Sequence, residues 1–199
     1  TFLAEWEEKR HALAYETDGA VLKVDRVEDQ EALGFISRSP KWAIAYKFPP
    51  EQVTTTLLNI SVEVGRTGYL TPVAEMEPVL LAGSTIRRAT LHNIDEIRRK
   101  DVRIGDVVIL QKAGDVIPEV VRSLPEKRRG VLAEFQMPTR CPSCHGEVVR
   151  DEVRHRCPNP WCEAQVFEGL RHAVGRGALD IEGLGEKLLQ QLVDRGRVR

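Results

Sequence analysis

The 199-residue chain has no apolar run long enough to cross a membrane, and it has no signal-peptide pattern. It also has no excess of charge of one sign, because 29 basic residues stand against 30 acidic ones, a formal net charge of −1. This balance excludes a uniformly basic protein that coats nucleic acid, so any such binding needs local basic patches. We expect a cytoplasmic protein without a membrane partner.

Cysteine is absent except between residues 141 and 162, where four residues have the spacing C-x2-C-x12-C-x4-C. Without a secretory signal, clustered thiols indicate a metal rather than disulfides. Two close pairs separated by a short hairpin let four thiolates converge tetrahedrally on a structural zinc ion, with no position left for substrate. The candidate ligands are Cys141, Cys144, Cys157 and Cys162. His145 and His155 lie nearby and stay open as substitutes.

Hydrophobic periodicity divides the first 50 residues into short elements. It predicts a helix over residues 2–14, half-buried strands over 18–25 and 41–48, and a helical turn at 30–33. Pro49 and Pro50 end the second strand, because proline cannot continue a hydrogen-bonded ladder. We place the first domain boundary there.

From residue 53 onward the pattern is a series of short strands. Alternation predicts strands around 60–64 and over 70–76, 84–90, 107–112 and 116–123, with a helix over 93–100 and a hairpin turn at 113–115. Five strands with one helix predict a small closed barrel of the oligonucleotide-binding (OB) type. A charged linker at 125–139 and the cysteine cluster follow. Helices at 163–176 and 186–195, joined by a glycine hairpin at 180–185, end the chain.

Two lysines lie on the predicted strands of the first 50 residues. Alternation places Lys47 on a face of small alanines, which leaves room for a flat ligand with its phosphate near the lysine. In the earlier strand Asp18, Gly19 and Lys23 could hold a metal and a phosphate. The alternative for the first pattern is an exposed lysine on an edge strand, and the alternative for the second is a turn that leads into an exposed strand.

Several residues of the barrel and the last hairpin suit contacts with DNA. An arginine between glycines, in a tight turn bracketed by Gly65 and Gly68, can grip a phosphate. Apolar residues after the 113–115 turn could press on a minor groove, and glycine amides before a helix can receive a phosphate. An ordinary hairpin, strand core and a helix cap are the alternatives. The candidates are Arg66, Thr67, Lys112, Val116, Ile117, Gly183 and Gly185.

The order of these motifs resembles one family. DGAVLKVD followed by KWAIAYKFP resembles the fourth and fifth motifs of covalent nucleotidyltransferases, and is most similar to the versions in NAD-dependent DNA ligases. The segments VGRTG, TLHN and AGDVIP resemble the OB domain of that family, and the cysteines resemble its zinc module. The resemblance implies a multidomain α+β chain. Residues 1–50 would end an adenylation domain, 51–137 form the OB domain, 138–163 the zinc finger, and 164–199 the start of a helix-hairpin-helix domain.

The resemblance also implies an activity. The family transfers AMP from NAD to an enzyme lysine and then to the 5′-phosphate at a nick in duplex DNA, where the 3′-hydroxyl displaces AMP; magnesium assists. Lys23 and Lys47 would offset charge on the transferred phosphate, and Asp18 would position a metal or a lysine. NAD, structural Zn²⁺ and catalytic Mg²⁺ are the implied cofactors, nicked DNA is the implied partner, and the protein would be a monomer.

One departure from the family pattern limits this expectation. The family's nucleophilic lysine lies in K-x-D-G, a motif that the 199 residues do not contain. We therefore expect the chain to be a piece of a longer ligase and inactive alone. A non-catalytic zinc and barrel module stays open, although it would not need Asp18, Lys23 and Lys47. An RNA ligase or capping enzyme also stays open, although the zinc cluster followed by a glycine hairpin argues against it.

Overall fold

The computed structural model describes residues 2–15, 17–113 and 117–198. The chain divides into two compact units, one of Thr1–Glu51 with Lys112–Ile117 and one of Gln52–Gln111 with Pro118–Arg199. Within the described residues no helix combines the length and hydropathy needed to span a bilayer.

The first unit is built around two antiparallel strands. Its elements are α1 (Phe2–Lys9), a 3-10 turn (Arg10–Ala12), β1 (Gly19–Lys23), α2 (Val27–Leu33), β2 (Phe35–Ile36), β3 (Ser39–Pro40) and β4 (Ala43–Lys47). β1 pairs with β4, and β2 pairs with β3. Both long strands are shorter than predicted, but the Val24 amide donates to the Trp42 carbonyl and the Phe48 amide to the Asp18 carbonyl. The ladder therefore extends beyond each end of the regular strands.

The first helix also ends earlier than the predicted residue 14. The Leu13 amide donates to the Arg10 carbonyl three residues back, at 3.2 Å, and Leu13 itself is extended. Such a bond tightens the last turn into 3-10 geometry. The helical pattern of the sequence therefore ends in this turn.

Five strands of the chain close into a barrel. They are β5 (Gln52–Val64), β6 (Tyr69–Leu81), β7 (Ser84–Thr90), β8 (Val107–Ala113) and β9 (Ile117–Ser123), with α3 (Ile94–Arg99) between the third and fourth. The neighbours run β6-β5-β8-β9-β7, and β6 also pairs with β7. The ring is thus complete, with β7 and β9 parallel where they meet. This confirms the predicted OB-type barrel. Gly114 and Asp115 of the predicted hairpin turn, and Val116 of the predicted strand after it, lie outside the described residues.

Apolar side chains fill the barrel, and their alternation is interrupted in β5. Leu57 and Ile60 are both buried although three positions separate them, because the pairing with β6 shifts register between Leu57 and Asn59. Such a β-bulge moves the following side chains to the other face. Asn93 begins α3 by accepting a hydrogen bond from the Glu96 amide on its side chain. The largest fully buried core side chains include Leu57, Leu81, Leu91, Leu110, Val102, Val108 and Val120.

The cysteine-bearing segment continues the sheet of the barrel. It contains β10 (Val149–Asp151) and β11 (Arg154–Arg156), and β11 pairs with β6 through His155 opposite Leu70 and Arg156 opposite Tyr69. Two helices follow, α4 (Glu163–Val174) and α5 (Glu186–Asp194). The segment therefore builds directly onto a barrel strand.

Residues 125–139, predicted as a charged linker, pack against the barrel instead. Pro125–Lys127 form a 3-10 turn, and the side chains of Phe135 and Met137 contact the core. Arg128 donates two hydrogen bonds to Asp106, from Nε to Oδ1 at 2.7 Å and from Nη2 to Oδ2 at 2.8 Å. Asp106 is fully buried and also accepts from the Arg103 amide. The hydrogen bond to Asp106 raises the pKa of the Arg128 guanidinium, which therefore stays charged at any ordinary pH.

Replacing Arg128 tests this interaction. Arg128→Ala leaves the carboxylate of Asp106 buried without its ionic partner, which typically costs about 3–5 kcal/mol. Urea titration, followed by amide exchange of the barrel strands, should show this loss in the free energy of unfolding. Arg129→Ala, an exposed neighbour with the same charge, should change it by less than about 0.5 kcal/mol. Equal effects of the two substitutions would contradict the assignment.

Candidate functional site

The pair β1–β4 places both candidate lysines on one face. Directly opposed residues of an antiparallel ladder share a face, and here Lys23 is opposite Ala43 while Lys47 is opposite Gly19. Alternation along β4 adds Ala45 to the same face. The backbone positions of the two lysines are therefore about 13 Å apart along the strands by the usual rise per residue, with Ala45 and the opposed Val21 between them.

Asp18 forms an ion pair with Lys47. The ammonium group of Lys47 donates a hydrogen bond to Oδ2 of Asp18, and this bond lowers the pKa of the Asp18 carboxyl. Both side chains are exposed, and such pairs add little to stability. The contact instead fixes where the ammonium group lies. Of the two partners that the sequence left open for Asp18, a metal or a lysine, the structure brings the lysine into contact.

The backbone of β4 leaves no room for a side chain at Gly19. A Cβ atom on Gly19 would lie 2.3 Å from the carbonyl oxygen of Tyr46 and 3.1 Å from Cα of Lys47. The sequence offered Gly19 as part of a metal and phosphate site, whereas its nearest neighbour in the structure is the backbone of β4. A side chain here would push Lys47 away from Asp18.

The four cysteine sulfurs converge. All four Sγ atoms lie within 4.8 Å of one another, with 3.8 Å between Cys141 and Cys162 and 3.5 Å between Cys144 and Cys157. A tetrahedral zinc ion with Zn–S bonds of about 2.3 Å requires sulfurs about 3.8 Å apart. The geometry therefore fits zinc. In the part of the chain that the structure describes, neither His145 nor His155 belongs to this group.

The surroundings of the thiols differ sharply. Burial raises the pKa of Cys157 to about 12, whereas the backbone amide of Gly146 holds the pKa of Cys144 at about 6. Burial also raises the pKa of Cys141. Buried thiols of this kind become thiolates only when a cation shares the charge, which is what a bound metal supplies.

The turn between β5 and β6 carries Arg66 and rests on the cysteine cluster. The Gly68 amide donates to the Gly65 carbonyl at 2.8 Å, which closes the tight turn predicted from the sequence. The Cys157 amide in turn donates to the Gly68 carbonyl at 2.9 Å. Gly68 has a φ of +83°, and a Cβ atom there would lie 2.5 Å from the Cys157 carbonyl oxygen. Arg66 and Thr67 thus lie exposed on a turn that a cysteine of the cluster supports.

This support was not predicted, because Gly68 and Cys157 are far apart in the sequence. The only sequence signal was the glycine after Thr67, which we attributed to the turn alone. A second bond strengthens the contact, since Nε of Arg156 donates to the Thr67 carbonyl at 3.2 Å.

The remaining barrel candidates lie in different environments. Lys112 is buried, with 8% of its surface exposed, which differs from the open basic patch expected. Ile117 is 59% exposed, so it is not ordinary strand core. Val116 lies outside the described residues.

The last hairpin places its glycines before α5. Gly185 is the residue that precedes this helix, and Gly183 has a φ of +79°. A side chain would meet nothing within 4 Å at either position. The first amides of a helix lack partners within it, and here they lie beside an open surface that could receive a phosphate.

The barrel, the two-lysine face and the four-thiolate cluster define a nucleotidyltransferase segment joined to an OB fold and a metal module. Comparison with known proteins agrees with this class. Residues 1–51 match the family model of the NAD-dependent DNA ligase adenylation domain, and residues 54–131 match that of the NAD-dependent DNA ligase OB-fold domain. The DNA ligases of Bacillus mycoides, Bacillus cereus and Bacillus thuringiensis are each 56% identical over 200 residues, which cover 100% of this chain and 30% of each relative.

The chain therefore belongs to the NAD-dependent DNA ligase family, as the motifs indicated. It spans 30% of the length of these curated relatives. The match over residues 1–51 argues against a purely non-catalytic binding module, and a match to NAD-dependent ligase models argues against an RNA ligase or capping enzyme.

The metal assignment predicts one zinc ion per chain. Cys157→Ser should release it, because the substitution removes one of four thiolates and zinc affinity is folding energy in small modules. Elemental analysis measures the content, and His145→Ala and His155→Ala are the controls that should keep the metal. Undiminished zinc in Cys157→Ser, or zinc loss in either control, would reject the four-thiolate site.

The contact at Gly68 predicts a second result. Gly68→Ala forces a Cβ atom against the Cys157 carbonyl and adds strain at a positive φ, so it should destabilise the turn and β11 by roughly 1–3 kcal/mol. Amide exchange at Tyr69 and Arg156 should accelerate. Gly177→Ala, where a side chain meets nothing within 4 Å, is the matched control. Unchanged exchange at both amides would show that the turn does not rest on the cluster.

Proposed function

We propose that this chain is the part of a cytoplasmic, monomeric DNA ligase that handles AMP during transfer and grips nicked duplex DNA, in replication and repair. The observation that carries the proposal is the β1–β4 face, where Lys47 is held by Asp18 at one end and Lys23 stands at the other. A binding module has no need for such a face. The match to the adenylation domain supports the same reading.

The proposed reaction has three steps. A lysine in a K-x-D-G motif, which lies outside these 199 residues, attacks the adenylyl phosphate of NAD and nicotinamide mononucleotide leaves. AMP then passes to the 5′-phosphate at the nick. Finally the 3′-hydroxyl attacks that phosphate, AMP leaves, and the strand is sealed.

The chain's own lysines act on the charge of the transferred phosphate. Lys47 is the better placed, because Asp18 holds its ammonium group and a fixed charge needs no rearrangement as the reaction proceeds. Lys23 lies on the same face at the opposite end. Magnesium would share the phosphate charge when bound. Since the carboxylate of Asp18 is paired with Lys47, we assign it to positioning that lysine rather than to holding the metal.

We assign the rest of the chain to DNA binding. We propose the division into residues 1–50, 51–137, 138–163 and 164–199 that the motifs indicate, with a structural zinc ion in the third part. Arg66 and Thr67 grip the backbone from the barrel turn, and the amides at Gly183 and Gly185 receive a phosphate at the helical hairpin. Exposed Ile117, with Val116, presses on the minor groove. Lys112 contributes charge from the barrel, and its burial makes it the weakest of these assignments.

Two substitutions in a full-length ligase that carries this segment distinguish a residue that acts in nucleotidyl transfer from a residue that binds DNA. Lys47→Ala should slow nucleotidyl transfer by roughly 100-fold or more at saturating DNA, as is typical of a lost electrostatic stabiliser. Arg66→Ala should weaken binding to nicked DNA and reduce the slope of log affinity against log salt by about 0.9, one phosphate contact. Self-adenylation rates and affinities over a salt series measure both. If Arg66→Ala adenylates as poorly as Lys47→Ala and keeps its salt slope, the barrel turn does not bind DNA.

The isolated 199-residue chain should bind nicked DNA weakly and should not become adenylated, because it contains no K-x-D-G lysine. Incubation with labelled NAD and denaturing electrophoresis tests this, with a full-length ligase of the family as the positive control. A labelled band from the chain alone would mean that the nucleophile lies within it and that the active site has been misplaced.

A further inference from the structure

A cleft of about 350 Å³ lies between the β5–β6 turn and α4. It is lined by Arg66, Glu168, Arg171 and His172. The sequence singled out only the first of these. From the geometry we propose that this cleft binds one backbone phosphate of duplex DNA, with Arg66 and Arg171 as its charged ligands and His172 as a further donor. The inference rests on the DNA ligase function proposed above and adds a residue set from the helical side.

The charges of the cleft suit a single anion. Two guanidinium groups face one carboxylate, and that carboxylate is already engaged, since Nη2 of Arg171 lies 2.5 Å from Oε2 of Glu168. Arg66 forms no side-chain hydrogen bond or ion pair with any residue that the structure describes. Planar guanidinium groups bind phosphate oxygens through two parallel hydrogen bonds. An incoming phosphate would therefore find one free guanidinium and a second held nearby.

The walls of the cleft are fixed by the metal cluster. On one wall, the Cys157 amide holds the Gly68 carbonyl of the turn. On the other, Cys162 immediately precedes α4, and its carbonyl accepts from the Val166 amide at 2.9 Å. The side chain of Gln165 in α4 also donates to the Cys157 carbonyl at 3.0 Å. Both walls thus attach to cysteines of one cluster, which makes the cleft a preorganised site rather than a chance meeting of exposed side chains.

The place of the cleft favours the DNA backbone over a free nucleotide. It lies on the barrel turn, and the chain continues from α4 into the hairpin that carries Gly183 and Gly185. A polymer with a phosphate at every step can occupy the cleft and the hairpin together. Phosphate contacts of this kind set the register of a protein on DNA without reading sequence, as sealing a nick in any sequence requires.

Glu168 should affect DNA binding in the opposite direction from the two arginines. Its carboxylate competes with phosphate for Arg171 and repels phosphate directly. Glu168→Gln should therefore tighten binding to DNA, whereas removal of either arginine should weaken it. If the ion pair between Glu168 and Arg171 had only a structural role, removing either partner would destabilise the protein. Neither substitution would then strengthen DNA binding.

The test uses the full-length ligase, nicked duplex DNA and a salt series. Arg171→Ala should weaken binding about tenfold and reduce the log–log salt slope by about 0.9, and Glu168→Gln should strengthen binding. If both arginines bind the same phosphate, the salt slope of the double variant Arg66→Ala/Arg171→Ala should be reduced by about 0.9 in total, as in a single variant. Arg129→Ala, an exposed arginine outside the cleft, is the control for loss of one positive charge. Zinc content and melting temperature must match those of the unmodified ligase in each variant.

Three results would overturn the inference. If Arg171→Ala and Arg129→Ala had the same effect on DNA affinity and on the salt slope, the cleft would bind no phosphate. A slope loss of about 1.8 in the double variant would mean two separate phosphates. Impaired self-adenylation without DNA in Arg171→Ala would assign the cleft to a nucleotide. Failure of the proposed function looks different, because the unmodified ligase would then neither bind nor seal nicked DNA.

Discussion

Four thiols, three of them buried, lie within 4.8 Å of one another in an arrangement that suits a shared cation, and the elements on both sides attach to these cysteines. Without a shared positive charge, neighbouring thiolates repel, and burial resists their ionisation, as the raised pKa of Cys157 shows. The Cys157 amide donates to the Gly68 carbonyl of the barrel turn, and Cys162 immediately precedes α4. The cysteine cluster therefore links the barrel to the helices that follow, and a bound metal would hold both attachments.

Two ion pairs of the chain show how burial decides the role of a charge. Arg128 pairs with the buried carboxylate of Asp106, and removal of either partner would leave the other charge unpaired. That pair therefore anchors the segment after β9 to the barrel. Lys47 and Asp18 are exposed, where water screens the attraction and the pair contributes little to stability. The exposed pair instead directs an ammonium group towards an open face. The buried pair therefore contributes to stability, whereas a chemical role is proposed only for the exposed pair.

The sequence predicted the parts whose signal is local. Strands with period-two alternation gave the barrel, and the paired cysteine spacing gave the metal site. Long-range contacts were not predicted. Residues 125–139 were interpreted as a linker because the partner of Arg128, Asp106, lies 22 positions away and gives no local pattern. The bulge in β5 was missed because Ile60, Val62 and Val64 alternate cleanly without it. Gly19 was offered as part of a metal and phosphate site, whereas its nearest neighbour is the backbone of Tyr46.

Arg171 and His172 were missed for a more instructive reason. Basic residues in the last turn of a helix are favoured by the negative end of its dipole, so their presence in α4 needed no further explanation. Only the three-dimensional contact between the cysteine cluster and the β5–β6 turn brings them to the cleft that Arg66 lines. The dipole explains why basic residues are tolerated there, but it does not require them to face another arginine. Glu168 already offsets the charge of Arg171, whereas Arg66 forms no side-chain hydrogen bond or ion pair with any residue that the structure describes. The open guanidinium of Arg66, in a cleft that a second arginine also lines, is the physical reason to expect an anion there.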